Sequence, residues 1–294
     1  MAATFLNGEF LDPTDARVSA ADAGILHGVG LFETMSATLD GDTPTVARLH
    51  DHLDRLALSA KTLKLSDSIR KPALAEAVTR TAEKAGLPKQ RVRLTVTGGD
   101  LNLLAQGAAD RPHDPTIIIT AQPATDYPPA MLERGVTAAI ADTKGNPFEP
   151  GAGHKTLNYW WRLSELQAAG AKNAAEALVF SITNHLVGGC VSNAFLVKDG
   201  ALFTPIARGE EPDGGIPSPV LPGITRRAAV FAAQELGIET SSRMLTINDV
   251  LGADELFLTN SSWSILPVVA VEASTIGTGA PGEITTKLRD AFRG

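Results

Sequence analysis

The chain contains one cysteine, Cys190, which excludes an intrachain disulfide and a cysteine-built metal site. No apolar run approaches the length of a membrane span. Basic residues are not in excess. The 26 Lys and Arg against 33 Asp and Glu give a net charge of −7 and a pI near 5.4, whereas a nucleic-acid binder ordinarily carries a basic face. The six histidines (27, 50, 52, 113, 154 and 185) show no metal-ligand pattern. His50 and His52 stand only two apart, so they point differently on a helix, and no metal is expected. Met1-Ala2-Ala3-Thr4-Phe5 lacks a basic segment followed by an apolar one, so no secretory signal is read there and a cytoplasmic location is expected. No internal repeat or low-complexity tract is found.

What is present is a globular composition, 44% hydrophobic and 20% charged, over 294 residues. That length suffices for two domains, each with its own core. Asn7-Gly8 between apolar runs predicts a hairpin, and Asp40-Gly41-Asp42 a turn. Leu49, Leu53, Leu56, Ala60 and Leu63 follow helical spacing. A second helix is predicted from Pro72 to Ala85, with Gly86 just past its end. Val92 to Thr97 and Thr116 to Thr120 read as strands. Three prolines in Gln122–Pro129 oppose regular structure. The expected organisation is therefore an N-terminal α/β domain at 1–121, a linker at 122–133 and a C-terminal α/β domain at 134–294. In the second half, strands are expected near Val136–Ala141, Glu176–Ile182, Ala194–Val197 and Glu255–Thr259. The hairpin turn is Lys198-Asp199-Gly200, and Gly209 to Pro222 reads as a loop.

Several segments carry candidate chemistry, each with an ordinary structural alternative. Lys155, in Gly153-His154-Lys155-Thr156-Leu157-Asn158-Tyr159, follows a glycine- and proline-rich stretch and is expected to open a helix running to about Ala169. Most lysines are solvated charges. Gly28-Val29-Gly30 suggests either a turn or a close backbone approach. Arg55, framed by Asp51 and Asp54, reads equally as a surface arginine. Pro222-Gly223-Ile224-Thr225-Arg226 opens a helix to about Leu236, whose first N–H groups suit a phosphate or simple capping by Thr225. Asn260-Ser261-Ser262-Trp263 suits a capped turn or an anion.

The order of these segments is more informative than any one of them. The series runs Gly-x-Gly-x-Phe-Glu, His-x-x-Arg-Leu, an isolated Lys-x-x-Asn, Ser-Asn-x-Phe, Gly-Ile-Thr-Arg and Thr-Asn-Ser-Ser. From about Asn7 to Val268 it resembles the class IV aminotransferases, the fold-type IV pyridoxal phosphate enzymes. These include branched-chain aminotransferases, D-amino-acid aminotransferases and 4-amino-4-deoxychorismate lyases. The resemblance implies a two-domain α/β fold like that of D-amino-acid aminotransferase. The cofactor would lie at the domain interface, with Lys155 on the C-terminal domain. It implies pyridoxal 5'-phosphate as cofactor and Lys155 as the Schiff-base lysine, which also moves the α-proton and must be neutral enough to do both. Arg55 would pair with the phosphate through its guanidinium fork, joined by Ile224, Thr225, Ser261 and Ser262. Glu33 matches a glutamate near the lysine. Tyr159 adjoins the motif without an assigned role.

Three departures stand out. Gly188 occupies the place of the family glutamate that pairs with the pyridine nitrogen and strengthens the cofactor as an electron sink. Glu176 is a candidate replacement. Gly28-Val29-Gly30 stands where relatives have Gly-Asp-Gly. Thr97-Gly98-Gly99 lacks an arginine that relatives often carry, leaving Arg93 and Arg162 as cationic candidates for a substrate carboxylate. The leading expectation is transamination between an amino acid and a 2-oxo acid. The alternatives are a lyase releasing pyruvate from aminodeoxychorismate and a cofactor-binding homologue with little catalysis. Small-molecule substrates are expected, with no nucleic-acid or membrane partner and, as in the family, a homodimer.

Overall fold

The computed structural model describes residues 2–41, 43–100 and 114–291. Asp42, in the expected turn, and His113 lie outside the described residues. The chain forms two units, Met1–Thr125 with His154–Asn158, and Asp126–Gly153 with Tyr159–Gly294.

The first unit begins with the hairpin β1 (Ala3–Leu6) and β2 (Glu9–Leu11). Its turn residues Asn7 and Gly8 both have positive φ, as a tight hairpin requires. Next come α1 (Ala23–His27), β3 (Gly30–Asp40), β4 (Thr43–Val46), α2 (Leu49–Thr62), α3 (Lys71–Ala85), β5 (Lys89–Thr97) and β6 (Ile117–Pro123). The sheet is antiparallel, in the order β2-β1-β6-β5-β3-β4. Alternation along the strands divides its two faces. Leu31, Met35 and Ala37 of β3 join Val92, Leu94 and Val96 of β5 beneath Leu53 and Leu56 of α2 and Val78 and Ala82 of α3. The opposite face carries Phe32, Thr34 and Ser36, set against Thr95, Arg93 and Arg91. Glu33 falls on the core-facing side between Leu31 and Met35, and is buried there.

The second unit contains α4 (Pro129–Arg134), β7 (Val136–Ile140), α5 (Trp160–Ala171), β8 (Glu176–Phe180), β9 (Leu186–Gly189), β10 (Asn193–Lys198), β11 (Ala201–Thr204), α6 (Ile224–Glu235), β12 (Thr240–Ser242), α7 (Ile247–Leu251), β13 (Glu255–Asn260), β14 (Ser264–Val271), β15 (Ser274–Thr275) and α8 (Glu283–Ala291). The sheet order is β12-β11-β10-β13-β14-β7-β8-β9, with β15 paired to β14. Pairings β11–β12, β14–β7 and β7–β8 are parallel and the others antiparallel. Leu178, Leu256 and Leu258 fill one face together with residues around α7. Phe195, Phe257 and Ile265 fill the other beneath Ala229 and Ala233 of α6 and Leu288 of α8. Ala177 and Val179 lie with Ala169 of α5.

Three features differ from the sequence-based expectation. The segment expected as a linker at 122–133 holds the end of β6 and most of α4, because Pro128 and Pro129 stand where a helix tolerates proline, before its N–H groups are needed. Lys155 does not open a helix, since α5 starts at Trp160. Its segment, expected on the C-terminal domain, belongs with the first unit, where its backbone is hydrogen-bonded to β3.

Glycines at two sites make opposite predictions. A Cβ on Gly30 would stand 2.6 Å from Leu157 Cδ1 and 2.7 Å from Val96 O. Gly30→Ala is therefore expected to lower stability by about 2 kcal/mol. A Cβ on Gly170, in α5, would meet nothing within 4 Å, so Gly170→Ala should raise stability by up to about 1 kcal/mol. Urea midpoints of the two variants test this, and the same sign for both would contradict it.

Candidate active site

Lys155 is fixed by its backbone. The Phe32 N–H donates to Lys155 O at 3.0 Å, and the Leu157 N–H donates to Gly30 O at 3.0 Å. Leu31 and Thr156 form an antiparallel bridge between these bonds. The Gly-x-Gly motif supplies both of the properties expected of it. Gly28 ends α1 in the left-handed conformation, and Gly30 admits the lysine segment at close range. Lys155 Nζ then lies 4.3 Å from the centroid of the Phe32 ring, and the Arg93 guanidinium lies 3.8 Å from the same centroid. Both distances suit cation–π attraction. His154, the preceding residue, meets Ser59 through Nδ1 at 2.9 Å.

On the other face of β3, Glu33 accepts from Arg55 Nε at 2.9 Å and Nη2 at 2.5 Å, and meets His52 Nδ1 at 2.7 Å. Burial by itself would raise the Glu33 carboxyl. The Arg55 charge and the hydrogen bonds from His52 and Arg55 outweigh it and hold the group down at about 2. An ionised carboxylate only accepts, so the proton in the His52 contact sits on Nδ1. Burial, followed by the nearby positive charges of Arg55 and Lys155, pushes His52 down despite Glu33, so the imidazole is neutral at pH 7. Glu33, Arg55 and Lys155 thus share one unit, as does His52, which has no role in the sequence-based expectation. Its spacing of three from Arg55 places both on one helix face, a signal already present in the sequence.

The second unit gathers the remaining candidates. Thr225 is not the cap of α6. Gly223 is the N-cap residue, with no side-chain cap, and Ile224 and Thr225 are buried in the first turn. A Cβ on Gly223 would fall 1.9 Å from Asn193 Oδ1, and Asn193 Nδ2 donates to Leu221 O at 2.9 Å. Arg226 anchors this end of the helix from a buried position. It donates to both carboxylate oxygens of Glu210, to Pro205 O, and to the hydroxyls of Thr204 and Ser242. Ser261 and Ser262 form the turn between β13 and β14. Asn260 Oδ1 closes it by accepting from the N–H groups of Ser262 and Trp263. Tyr159 immediately precedes α5. Arg162 donates to Cys190 O at 2.9 Å and stacks on Trp161.

At Gly188 the backbone has φ +143°, and a Cβ would stand 2.7 Å from Ser192 O. That conformation strains any side chain. The neighbouring bend is held by Glu176, which accepts from the N–H groups of Ala177, Cys190 and Val191 and from Ser192 Oγ. Burial raises the Glu176 carboxyl, and these hydrogen bonds only partly oppose it. Glu176 therefore supports the Gly188–Ser192 segment from within the sheet.

Residues 30–271 match the amino-transferase class IV family, and the chain belongs to it. A putative branched-chain-amino-acid aminotransferase of Methanocaldococcus jannaschii is 34% identical over 98% of this chain and 94% of its own. The crystal structure of the Escherichia coli branched-chain amino acid aminotransferase superposes with a TM-score of 0.87 at 28% identity, over 98% of this chain and 92% of that one. That of 4-amino-4-deoxychorismate lyase from Pseudomonas aeruginosa gives 0.80 at 27%, over 99% and 98%. The fold is thus the two-domain α/β fold of the fold-type IV enzymes.

The Glu33 cluster predicts a pH dependence. Folded Glu33 titrates at about 2 against an ordinary 4.5. Its contribution is complete above about pH 4.5 and is lost as pH falls toward 2. Glu33→Gln should lower unfolding free energy at pH 7 by up to about 3 kcal/mol. The difference from wild type should narrow below pH 4.5, and a flat difference in urea titrations across that range would count against the assignment.

Proposed function

We propose that this protein is a pyridoxal 5'-phosphate-dependent aminotransferase that moves an amino group between an amino acid and a 2-oxo acid. The observation that carries the reading is Lys155, backbone-bonded to β3 with its amine against Phe32, in a member of the class IV family.

The residues present suit the cofactor. The N-terminus of α6 has no side-chain cap, and the missing Cβ of its N-cap residue Gly223 makes room for the Asn193 side chain. The N–H groups there and the helix dipole favour a phosphate. In this reading Ile224 and Thr225 hold the phosphate, with Ser261, Ser262 and Arg55 contributing donors and positive charge. The cofactor would supply an electron sink for the charge left when an amino acid loses its α-proton, at a point where Lys155 Nζ is a free amine. Lys155 Nζ takes that proton and returns it. Glu33, ionised at any physiological pH, orients the Arg55 fork through two hydrogen bonds. Gly188 leaves the ring nitrogen without the family's carboxylate. Glu176 is committed to four donors of its own. Arg93 is the better of the two candidates for the substrate carboxylate, because it shares the Phe32 ring with Lys155. Arg93 also donates from Nε to Thr95 Oγ1, whereas Arg162 donates to Cys190 O and stacks on Trp161.

A homodimer in the cytoplasm belongs to the same reading. Ile25 and Leu26, 65% and 58% exposed on α1, form an apolar surface of the kind that association buries. Sedimentation should give twice the chain mass, and a monomer at micromolar concentration would remove this part of the proposal. The lyase reading stays second, motivated by Thr259-Asn260-Ser261-Ser262 and the similarity to the lyase structure. Release of pyruvate from aminodeoxychorismate without a 2-oxo acid acceptor would favour it over transamination.

The purified protein should carry a visible cofactor absorbance that shifts on adding amino acids, and a panel of L- and D-amino acids should reveal the substrate class. Borohydride should fix the cofactor to the chain in wild type and not in Lys155→Ala. An adduct surviving that substitution would show that another lysine is used. A colourless protein that takes up no pyridoxal phosphate would overturn the proposal.

A further inference from the structure

Thr259 lies near the end of β13, 1% exposed. Its Oγ1 is buried and has no hydrogen-bond partner among the described residues. A hydroxyl removed from water without a partner is destabilising, and buried polar groups are nearly always satisfied. The surroundings indicate what would satisfy this one. Thr259 pairs directly with Asn193 across β10 and β13, so the two side chains stand side by side on one sheet face. Asn193 reaches from that face to Leu221 O and packs against Gly223, the N-cap of α6. Phe257, two residues earlier on the same face, lies in the cluster covered by Ala229 and Ala233 of α6. The orphan hydroxyl therefore lies beside Asn193, the residue that reaches the helix end whose first N–H groups have no side-chain cap. Two observations of different kinds, a buried donor without an acceptor and an uncapped helix start, meet at one place.

We propose that Thr259 is an anion-binding residue, its hydroxyl donating to the phosphate held at the N-terminus of α6. The inference rests on the reading that this helix end takes the cofactor phosphate, and it adds a buried donor from the sheet to the N–H groups of the helix. Burial excludes competing water, which makes a hydroxyl donor to an anion effective. A purely structural threonine predicts the reverse of what an anion donor predicts. Replacing an unsatisfied buried hydroxyl by a methyl of the same shape should not harm folding.

The test uses the full chain stripped of cofactor, with three probes: pyridoxal 5'-phosphate, pyridoxal without its phosphate, and inorganic phosphate as a competitor. Thr259→Val should weaken pyridoxal 5'-phosphate and inorganic phosphate by about tenfold. It should leave pyridoxal unchanged, with a melting temperature equal to or above wild type. Thr259→Ser, which keeps the hydroxyl, should bind all three as wild type does. Unchanged phosphate affinity in Thr259→Val would overturn the inference. So would equal losses for both pyridoxal forms, a lowered melting temperature, or a Ser variant as weak as the Val variant, all of which mark a packing role. Wild-type protein that binds pyridoxal but not its phosphate preferentially would overturn the phosphate reading of α6 itself. That result is distinct from a failure at Thr259 alone.

Discussion

The first unit's share of the site depends on a short stretch of backbone pairing, in which His154–Asn158 lies along the start of β3 as an added strand fragment. Main-chain hydrogen bonds, not the lysine side chain, fix where Lys155 begins. Only a residue without a Cβ can stand at position 30 while Leu157 passes so near. The flexible butylammonium then carries its amine to the Phe32 ring, a defined wall of the unit. A reactive amine on a long stem would otherwise sample many positions, and the cost of ordering it falls when its root is immobile.

Charge is organised separately on the opposite face of the same strand. The Glu33 carboxylate is buried among Leu31, Met35 and the α2 helix, where it would be untenable alone. Arg55 and His52 make it tenable, and the neutral state of His52 means that the trio contributes one negative and one positive charge. The arginine is thereby oriented by a partner that stays ionised through all physiological conditions. Such an arrangement keeps a guanidinium from wandering and gives any anion near it a fork of set direction.

The sequence is legible where local chemistry dictates structure. Asn7-Gly8 turns, Pro72 and Gly86 bound a helix, and the glycine and small-residue motifs reveal the family. It is less legible where distant contacts override local preference. Pro267 in β14 argues against a strand, yet the sheet accommodates it beside a register shift at Val268 and Ala270. The prolines that suggest a linker instead start α4. The Lys155 segment reads as a helix start in sequence because pairing with a strand more than 120 residues earlier leaves no periodic trace in so few residues. The resemblance reads Gly188 as the place of a carboxylate, but its positive φ and the crowding by Ser192 O come only from the fold. Any side chain at position 188 would therefore require the bend that Glu176 supports to shift.

The alternation of β3 carries one further consequence. Phe32 and Glu33 are adjacent in sequence and face opposite sides of the sheet, one turned to the lysine and the other to the arginine. A shift of pairing by a single residue would exchange them, driving an aromatic ring into the ion cluster and a carboxylate toward the amine. Strand register here is therefore a chemical specification as well as a structural one. An inserted or deleted residue in β3 would scramble both faces at once, where a substitution would disturb only one.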